Sequence, residues 1–220
     1  MIKESSIDDL KVIDYVMILT KTQLRIMQFF VGRITESFSI RQVGRELKMD
    51  YSLVHRAIRP LIDKNGLLRE MPHNRIMLNF REHHNVLAYV EYLRRDAFLR
   101  KPRNKDLVMC LDSFIKKFKE ESFVLLFFGS VVNKTNPRDI DILLIVDSVE
   151  KTEPAEAFLH NVSRDYELDG KLHIVCVSYE SVYEMLSMRE QRNVMNEVLN
   201  KHILVYGAEL FYRLLDRGRK

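Results

Sequence analysis

The sequence has few of the residues that interrupt helices and strands or that form cross-links. Its 220 residues include 7 glycines, 5 prolines and 2 cysteines, whereas 46% are hydrophobic and 30% are charged. This balance excludes a disordered protein, because the chain has enough apolar side chains to bury a core. We find no internal repeat and no low-complexity tract. The length predicts one large domain or two small ones.

The two cysteines, Cys110 and Cys176, lie in apolar stretches without a CxxC partner. This argues against a disulfide framework or a zinc site and favours a reducing, cytoplasmic environment. No apolar run approaches the roughly 20 residues of a membrane-spanning helix. The first residues, MIKESSIDDLKVIDY, are too polar for a signal peptide. We therefore expect a protein without a membrane partner.

The basic residues concentrate in the first half of the chain. Residues 21–81 contain 12 lysines and arginines against 5 acidic residues, whereas residues 121–220 contain 12 against 16. The whole chain has a formal net charge of +4. A basic region followed by an acidic one predicts two modules with different partners. We place a first domain at 1–82, a helical linker at 83–105 and a second domain at 106–220.

The first domain has the pattern of three helices and a hairpin. Apolar residues at helical spacing between Leu24 and Val31 predict the first helix. Ser39 is the predicted N-cap of a short second helix over Ile40–Leu47. The third helix follows after a tight turn.

We expect this third helix to begin near Tyr51 or Ser52 and to end at Gly66, in the left-handed conformation. Two short strands around a Pro-His-Asn turn come next. This order resembles the winged helix-turn-helix of bacterial and archaeal transcription regulators, over roughly residues 20–80. The resemblance implies that the third helix enters the major groove of double-stranded DNA and that the hairpin wing touches the backbone or the minor groove.

The resemblance also indicates which side chains would contact DNA. Polar side chains off the core face of the third helix and in the wing can donate to phosphates or base edges. They are Tyr51, Ser52, His55, Arg56 and Arg59 in the helix and Arg69, His73, Asn74 and Arg75 in the wing. The alternative is a winged helix used for protein contacts, with its arginines merely solvated. Such regulators usually read two half-sites, so we expect a homodimer.

The linker is predicted to contain a helix and a break, followed by a further helix from Asp106 to Glu120 that packs on the second domain. Its basic residues either extend a phosphate-contacting surface or form a solvated connection. They are Arg94, Arg95, Arg100, Lys101, Arg103 and Lys105.

The second domain alternates apolar strands with helices. Strands are predicted at Phe123–Phe128, Ile140–Val146 and Leu172–Val177, with a helix at 153–166 and further helices to the end. The whole chain is therefore predicted as α/β in the broad sense (α+β), a winged helix followed by a mixed sheet flanked by helices.

Two acidic residues, Asp139 and Asp141, stand at the start of the middle strand. Strand alternation places both on one face, where two close carboxylates repel unless a cation lies between them. Mg²⁺ accepts one or two carboxylates and completes its shell with water and substrate phosphates. Gly129 and Ser130 end the preceding strand and would hold a phosphate by close backbone approach, free amides and a hydroxyl. This combination predicts phosphoryl or nucleotidyl transfer. The alternative is a pair of loop-end acids that form salt bridges to Arg138 or to a neighbouring helix.

The sequence FGS followed by RDIDILLIV resembles the GS…DxD signature of the polymerase-β-like nucleotidyltransferase superfamily. It is most similar to the minimal nucleotidyltransferases, which occur alone or fused to helix-turn-helix domains. The resemblance covers about residues 106–215, including the C-terminal stretch NKHILVYGAELFYRLL. It implies that Gly129 and Ser130 contact the phosphates of a nucleoside triphosphate and that Asp139 and Asp141 bind Mg²⁺.

The sequence departs from this signature at two points. The loop VVNKTNP lacks a second glycine, and Lys134 and Arg138 are candidate compensating phosphate contacts. Where active members carry a third carboxylate on a later strand, this chain has His173. A histidine can act as a general base but is a poor Mg²⁺ ligand. Its role is catalytic or structural, and Glu167 or Asp169 just upstream is the alternative third acid.

These features leave three functions open. The first is a DNA-binding protein whose second domain binds Mg²⁺ and a nucleoside triphosphate and transfers a nucleoside monophosphate to an acceptor hydroxyl. The second is a transcription regulator whose catalytically weakened second domain senses nucleotide or only dimerises. The third is an antitoxin-like role beside a partner protein.

Overall fold

The computed structural model describes residues 17–134, 137–168, 170–188 and 190–218. The helices are α1 Lys21–Val31, α2 Ile40–Leu47, α3 Tyr51–Asp63, α4 His84–Leu99, α5 Lys105–Lys117, α6 Ser130–Asn133, α7 Thr152–Arg164, α8 Tyr179–Ser187, α9 Val194–Val198 and α10 Ala208–Gly218. The strands are β1 Leu67–Glu70, β2 Arg75–Leu78, β3 Val124–Phe128, β4 Ile140–Val146, β5 Leu172–Ser178 and β6 His202–Tyr206. The predicted α+β class is confirmed.

Polar N-caps fix where the first three helices begin. Thr20 and Gln23 form a capping box at α1, in which each side chain accepts a hydrogen bond from the backbone amide of the other residue. Ser39 and Gln42 form the same arrangement at α2 and confirm its predicted start. Asp50 caps α3.

The end of α3 differs from the prediction. Asn65, with φ 56°, is the left-handed residue, and Gly66 is not. The amides of Asn65 and Gly66 donate to the carbonyls of Ile62 and Leu61, which closes the helix. Asparagine tolerates the left-handed region better than most residues, so the prediction for Gly66 was wrong. A Cβ at Gly66 would lie 2.7 Å from Met17 Cε, so the Met17 side chain packs against this glycine.

The wing is an antiparallel pair of strands, β1 and β2. Its turn contains a cis peptide bond between Met71 and Pro72. Phe38, in the segment between α1 and α2, adds a bridge to Ile76 of β2, with two backbone hydrogen bonds of 2.8 Å each. The wing is therefore tied to the segment that leads into α2.

The larger sheet has the strand order β5-β4-β3-β6. β3 is antiparallel to β4 and β6, and β4 is parallel to β5. One face packs against α5 and α7 in a core of its own. The other face shares a continuous core with α8, α9, α10 and the winged helix. The buried side chains of β3 and β4 on this second face are Val124, Leu126, Phe128, Leu143 and Ile145.

Helix α4 joins the winged helix to this second face, because it packs against α1, α10 and β6. Its two arginines point into the molecule. Arg94 donates to Glu91 Oε2 at 2.7 Å and to the His202 carbonyl at 2.8 Å, and Arg95 donates to the Val205 carbonyl at 2.7 Å. The expectation of a solvated or phosphate-contacting run therefore fails for these two residues, because backbone carbonyls of β6 need donors there.

Glu91 is completely buried, and its carboxylate accepts hydrogen bonds from three side chains. Its donors are Arg94, the Tyr212 hydroxyl at 2.9 Å and His202 Nε2 at 3.1 Å. Burial acts to raise the pKa of Glu91, but the Arg94 guanidinium and His202 outweigh it and hold that pKa below its ordinary value. Burial and the neighbouring Glu91 raise the pKa of Tyr212. This network stabilises α4 against β6 and α10.

Within these described ranges, no helix is both long and apolar enough to cross a membrane.

Candidate nucleic-acid interface and candidate nucleotide site

Helix α3 has a buried face and an exposed basic face. Val54, Ile58 and Leu61 are at most 1% exposed and fix the orientation of the helix on α1 and α2. The sequence-predicted side chains of α3 all lie on its exposed surface. They are Tyr51, Ser52, His55, Arg56 and Arg59. The fold therefore brings together the helical part of the predicted DNA interface.

The contacts within this surface are few and long. The rings of Tyr51 and His55 are 5.9 Å apart, and Arg56 Nε donates to the Ser52 carbonyl at 3.4 Å. The Arg41 guanidinium of α2 lies 6.0 Å from the centre of the Tyr51 ring. Arg41 thus joins the surface, although the sequence analysis missed it. Its position on α2 gave no sign that α2 and α3 would bring it beside Tyr51.

A groove of about 390 Å³ separates α3 from the wing. Arg59 of α3 and Arg69 of β1 both line it, as does His55. Asp63 is an acidic group in the same lining. Two guanidinium groups from separate elements can contact successive phosphates of a nucleic-acid strand.

The predicted DNA-contacting residues of the wing differ in their exposure. Arg69, His73 and Asn74 are exposed. Arg75 is half-buried and donates through Nε to Ser37 Oγ at 2.8 Å and through Nη2 to the Ser37 carbonyl. The structure therefore gives Arg75 the role of holding the wing against the segment before α2.

The second candidate site lies where β3 ends and β4 begins. Gly129 connects β3 to α6 with φ 68° and ψ −141°, a conformation that favours glycine. A Cβ at Gly129 would lie 2.5 Å from Asp141 Oδ2 and 3.4 Å from Glu197 Oε1. Two carboxylates, from β4 and from α9, therefore face the same glycine. Ser130, half-buried, is the first residue of α6.

The neighbours of Asp141 follow from the sheet register. β4 begins at Ile140, as predicted, so Asp139 is the exposed residue immediately before the strand. Asp141 is paired with His173 of β5, and His173 Nδ1 lies 3.3 Å from Asp141 Oδ1. The side chain of Asp141 is 24% exposed and that of His173 is 69% exposed. Strand pairing thus brings together two residues that are distant in sequence.

The remaining predicted phosphate contacts, Lys134 and Arg138, are exposed on either side of the loop. Glu167 is exposed in the turn after α7, with φ 56°. Asp169 lies outside the described residues. The expected third carboxylate is therefore not on β5, where His173 stands. Glu197 is the acid that the sequence analysis missed, because nothing in the stretch NVMNEVLN links it to the DxD pattern.

The donor set fits Mg²⁺ only in part. Within the part of the chain that the structure describes, no group of three or more His, Cys, Asp or Glu residues could hold a metal ion. Asp139 and Asp141 nevertheless offer the hard oxygen donors that Mg²⁺ prefers, and Mg²⁺ takes its other ligands from water and phosphate. A nucleotide would therefore have to supply part of the coordination shell.

Both cysteines are free thiols; Cys110 is buried and Cys176 is half-buried. Burial raises the pKa of Cys110 to about 11 and that of Cys176 to about 12. Both are therefore protonated at neutral pH and lack the thiolate character of a nucleophilic cysteine.

No protein-family model matches the chain, and no curated protein matches it. Among solved structures, the chain is similar to the IclR of Thermotoga maritima, with 17% sequence identity and a TM-score of 0.26. The match covers 50% of this chain and 40% of that chain, so it spans less than half of the IclR. A TM-score this low supports no conclusion about this protein.

Proposed function

We propose that this protein is a transcription regulator that binds double-stranded DNA through its winged helix, as a homodimer. The observation that carries the proposal is the exposed polar and basic surface of α3, beside a groove lined by Arg59 and Arg69. The side chains of this surface are exposed, and the buried residues of α3 fix its orientation.

The dimensions suit the major groove. With 13 residues, α3 is about 20 Å long, and the major groove of about 12 Å width admits one helix. Arg56 and Arg59 are three residues apart, so they lie on neighbouring positions of one helix face. An arginine in this setting forms paired hydrogen bonds with guanine or contacts phosphates.

Fluorescence anisotropy with a labelled 40-base-pair duplex, at several salt concentrations, tests this proposal. We expect Arg56→Ala and Arg59→Ala each to weaken binding. The slope of log affinity against log salt should fall by about 0.9 for each phosphate contact that is lost. Lys116→Ala is the matched control, because Lys116 is an exposed basic residue of α5, away from α3. Its affinity and slope should equal those of the wild type.

Unchanged affinity and slope in both arginine variants would contradict the proposal. The winged helix would then be assigned to protein contacts. Selection of bound duplexes from a random pool, followed by the same measurements, separates base contacts from phosphate contacts. Loss of a base contact relaxes the preference at one position, whereas loss of a phosphate contact weakens all sequences equally.

We propose as a second role that the site at Gly129 binds a nucleoside triphosphate together with Mg²⁺. The supporting observation is that Asp141 and Glu197 both face Gly129, where a side chain would clash with Asp141, so that the bare backbone of Gly129 lies beside two carboxylates. Two carboxylates repel a bare triphosphate, so a cation must accompany it. Asp139 and Asp141 would hold Mg²⁺, whose contribution is to neutralise phosphate charge. Gly129, Ser130, Lys134 and Arg138 would contact the phosphates.

This second role is one of sensing. Transfer of a nucleoside monophosphate stays a prediction from the sequence, with His173 as its candidate base. Release of labelled pyrophosphate from a labelled nucleoside triphosphate would test it directly. Loss of that release in His173→Gln, with nucleotide affinity retained, would assign the base.

Calorimetric titration of ATP and CTP, with Mg²⁺ or with EDTA, tests the binding itself. We expect binding only with Mg²⁺, and loss of binding in the double variant Asp139→Asn/Asp141→Asn. The control is Asp112→Asn, which removes an exposed acid of α5. Absence of binding in the wild type would remove this second role and leave the DNA-binding proposal intact.

A further inference from the structure

We infer that residues 197–202, here called the coupling segment, link occupancy of the site at Gly129 to DNA binding by the winged helix. The inference rests on the proposed nucleotide binding at that site. It assigns to the nucleotide a regulatory action on the same chain. The coupling segment comprises the end of α9, the turn after it and the first residue of β6.

One end of the coupling segment lies at the nucleotide site. Glu197 Oε1 is 3.4 Å from the position that a Cβ on Gly129 would occupy, and Asp141 Oδ2 is 2.5 Å from that position. Mg²⁺–ATP bound beside Gly129 would bring charge close to Asp141 and to Glu197, which both face this glycine. Helix α9 has only five residues, and its N-cap, Asn193, is anchored to α8 through the carbonyl of Met185.

The other end of the coupling segment lies on the winged helix. The Leu199 carbonyl accepts a hydrogen bond from the Ile34 amide at 2.9 Å. The side chain of Asn200 forms two more bonds, accepting from the Thr35 amide at 3.0 Å and donating to Thr35 Oγ1 at 2.6 Å. Ile34 and Thr35 lie between α1 and α2, and Phe38, a few residues later, pairs with β2 of the wing.

A second route runs through the buried network of α4. His202 Nδ1 lies 2.6 Å from the Val198 carbonyl, and its Nε2 lies 3.1 Å from Glu91 Oε1. Glu91 in turn binds Arg94, whose guanidinium packs against Gly32 so closely that a Cβ there would lie 2.6 Å from Nη2. The coupling segment therefore contacts the winged helix directly and also through α4.

The candidate nucleotide site and the coupling segment lie on the same face of the larger sheet. Asp141 and His202 are each paired with Phe128, so they share the face whose core continues into the winged helix. The opposite face has a separate core with α5 and α7. A change at Asp141 and Glu197 thus acts on packed and hydrogen-bonded elements that reach α1 and the wing. Such contiguous networks can carry a coupling free energy between two sites.

The coupling must be reciprocal. If Mg²⁺–ATP changes the affinity for DNA by some factor, DNA must change the affinity for Mg²⁺–ATP by the same factor. Typical allosteric factors are about 5 to 150. We therefore expect a factor of at least about 5 in the wild type, equal in both directions within error.

The experiment measures four dissociation constants for each protein: for DNA with and without saturating Mg²⁺–ATP, and for Mg²⁺–ATP with and without DNA. Asn200→Ala removes both side-chain bonds to Thr35, and Thr35→Val removes the Oγ1 acceptor from the other side with little change of shape. Each variant should bind DNA alone and nucleotide alone as the wild type does, while the coupling factor falls towards 1. Asn161→Ala, an exposed asparagine of α7, should keep the wild-type factor.

The outcomes separate this inference from the proposed function. A factor of 1 in a wild type that binds both ligands would overturn the inference and leave both binding roles standing. A wild-type factor kept in Asn200→Ala and in Thr35→Val would overturn the assignment of the coupling segment. No binding of nucleotide to the wild type would overturn both the sensing role and the coupling.

Discussion

The charged side chains on α3 and those between α4 and β6 are held in opposite ways. Arg56 and Arg59 are exposed and loosely held, so they cost the fold little and can contact a polyanion. Glu91 is completely buried and surrounded by donors, so its charge fixes one arrangement of α4 against the sheet. Asp141 at the candidate nucleotide site is partly exposed and lies between these extremes. The comparison indicates that the accessible charges are the ones free to bind a ligand and that the buried ones hold α4 against the sheet.

The largest loss of stability is expected from substitution of Glu91. We expect Glu91→Ala to lower the free energy of unfolding by about 3 to 5 kcal/mol, because it leaves the largely buried guanidinium of Arg94 without its carboxylate. Because the pKa of Glu91 is held low in the fold, its stabilisation is present above the ordinary carboxyl pKa and is lost as the pH falls through the lowered value. Urea denaturation followed by circular dichroism measures both.

Glu209→Ala is the control for this prediction, because Glu209 forms an exposed pair with Arg213. Its cost should be about 0 to 1 kcal/mol. Equal losses of unfolding free energy in the two variants would mean that the buried network stabilises the fold no more than an exposed ion pair does.

The next effect compares two glycines with similar positive φ. Gly129 and Gly170 have φ 68° and 75°, so alanine at either strains the backbone, by about 1 to 3 kcal/mol. A Cβ added at Gly170 would meet no atom within 4 Å beyond its chain neighbours, whereas a Cβ at Gly129 would meet Asp141. We expect Gly129→Ala to destabilise more and to abolish nucleotide binding, with Gly170→Ala keeping it. Denaturation and calorimetry check the two parts, and equal behaviour of the pair would remove Gly129 from the site.

A smaller effect concerns the start of α3. The Ser52 side chain, with the amides of Ser52 and Leu53, holds the pKa of Asp50 below its ordinary value. Its stabilisation is therefore present above the pKa of the unfolded chain and is lost as the pH falls through the folded pKa. Asn also caps helices but does not titrate, so Asp50→Asn should show a weaker acid dependence of unfolding. Identical pH profiles for the two proteins would contradict this role.

The smallest change in stability is expected from substitutions on the exposed face of α3. Arg56→Ala and Arg59→Ala should change the free energy of unfolding by no more than about 0.5 kcal/mol, as for exposed residues in general. The same variants should weaken DNA binding. A large loss of stability would mean that these arginines hold the fold, and the contrast with Glu91 would disappear.

Local signals explain what could be predicted. The bounds of α2 and β4 were predicted correctly, because a capping side chain and an apolar alternation act within a few residues. The exposed donors of α3 were likewise found from helical spacing. Gly66 was predicted wrongly at the end of α3, because Asn65 could take the left-handed position as well.

The sequence by itself determined the α+β class, the starts of α2 and α3 and the positions of the DxD and Gly-Ser residues. Only the tertiary structure decided what lies beside them. It brought Glu197 to Gly129, turned Arg94 and Arg95 inward and joined Asn200 to Thr35. These contacts link residues far apart in the chain, and they depend on which strands pair and which helices cover each face. No pattern of neighbouring residues encodes that choice, because it follows from the burial of whole elements.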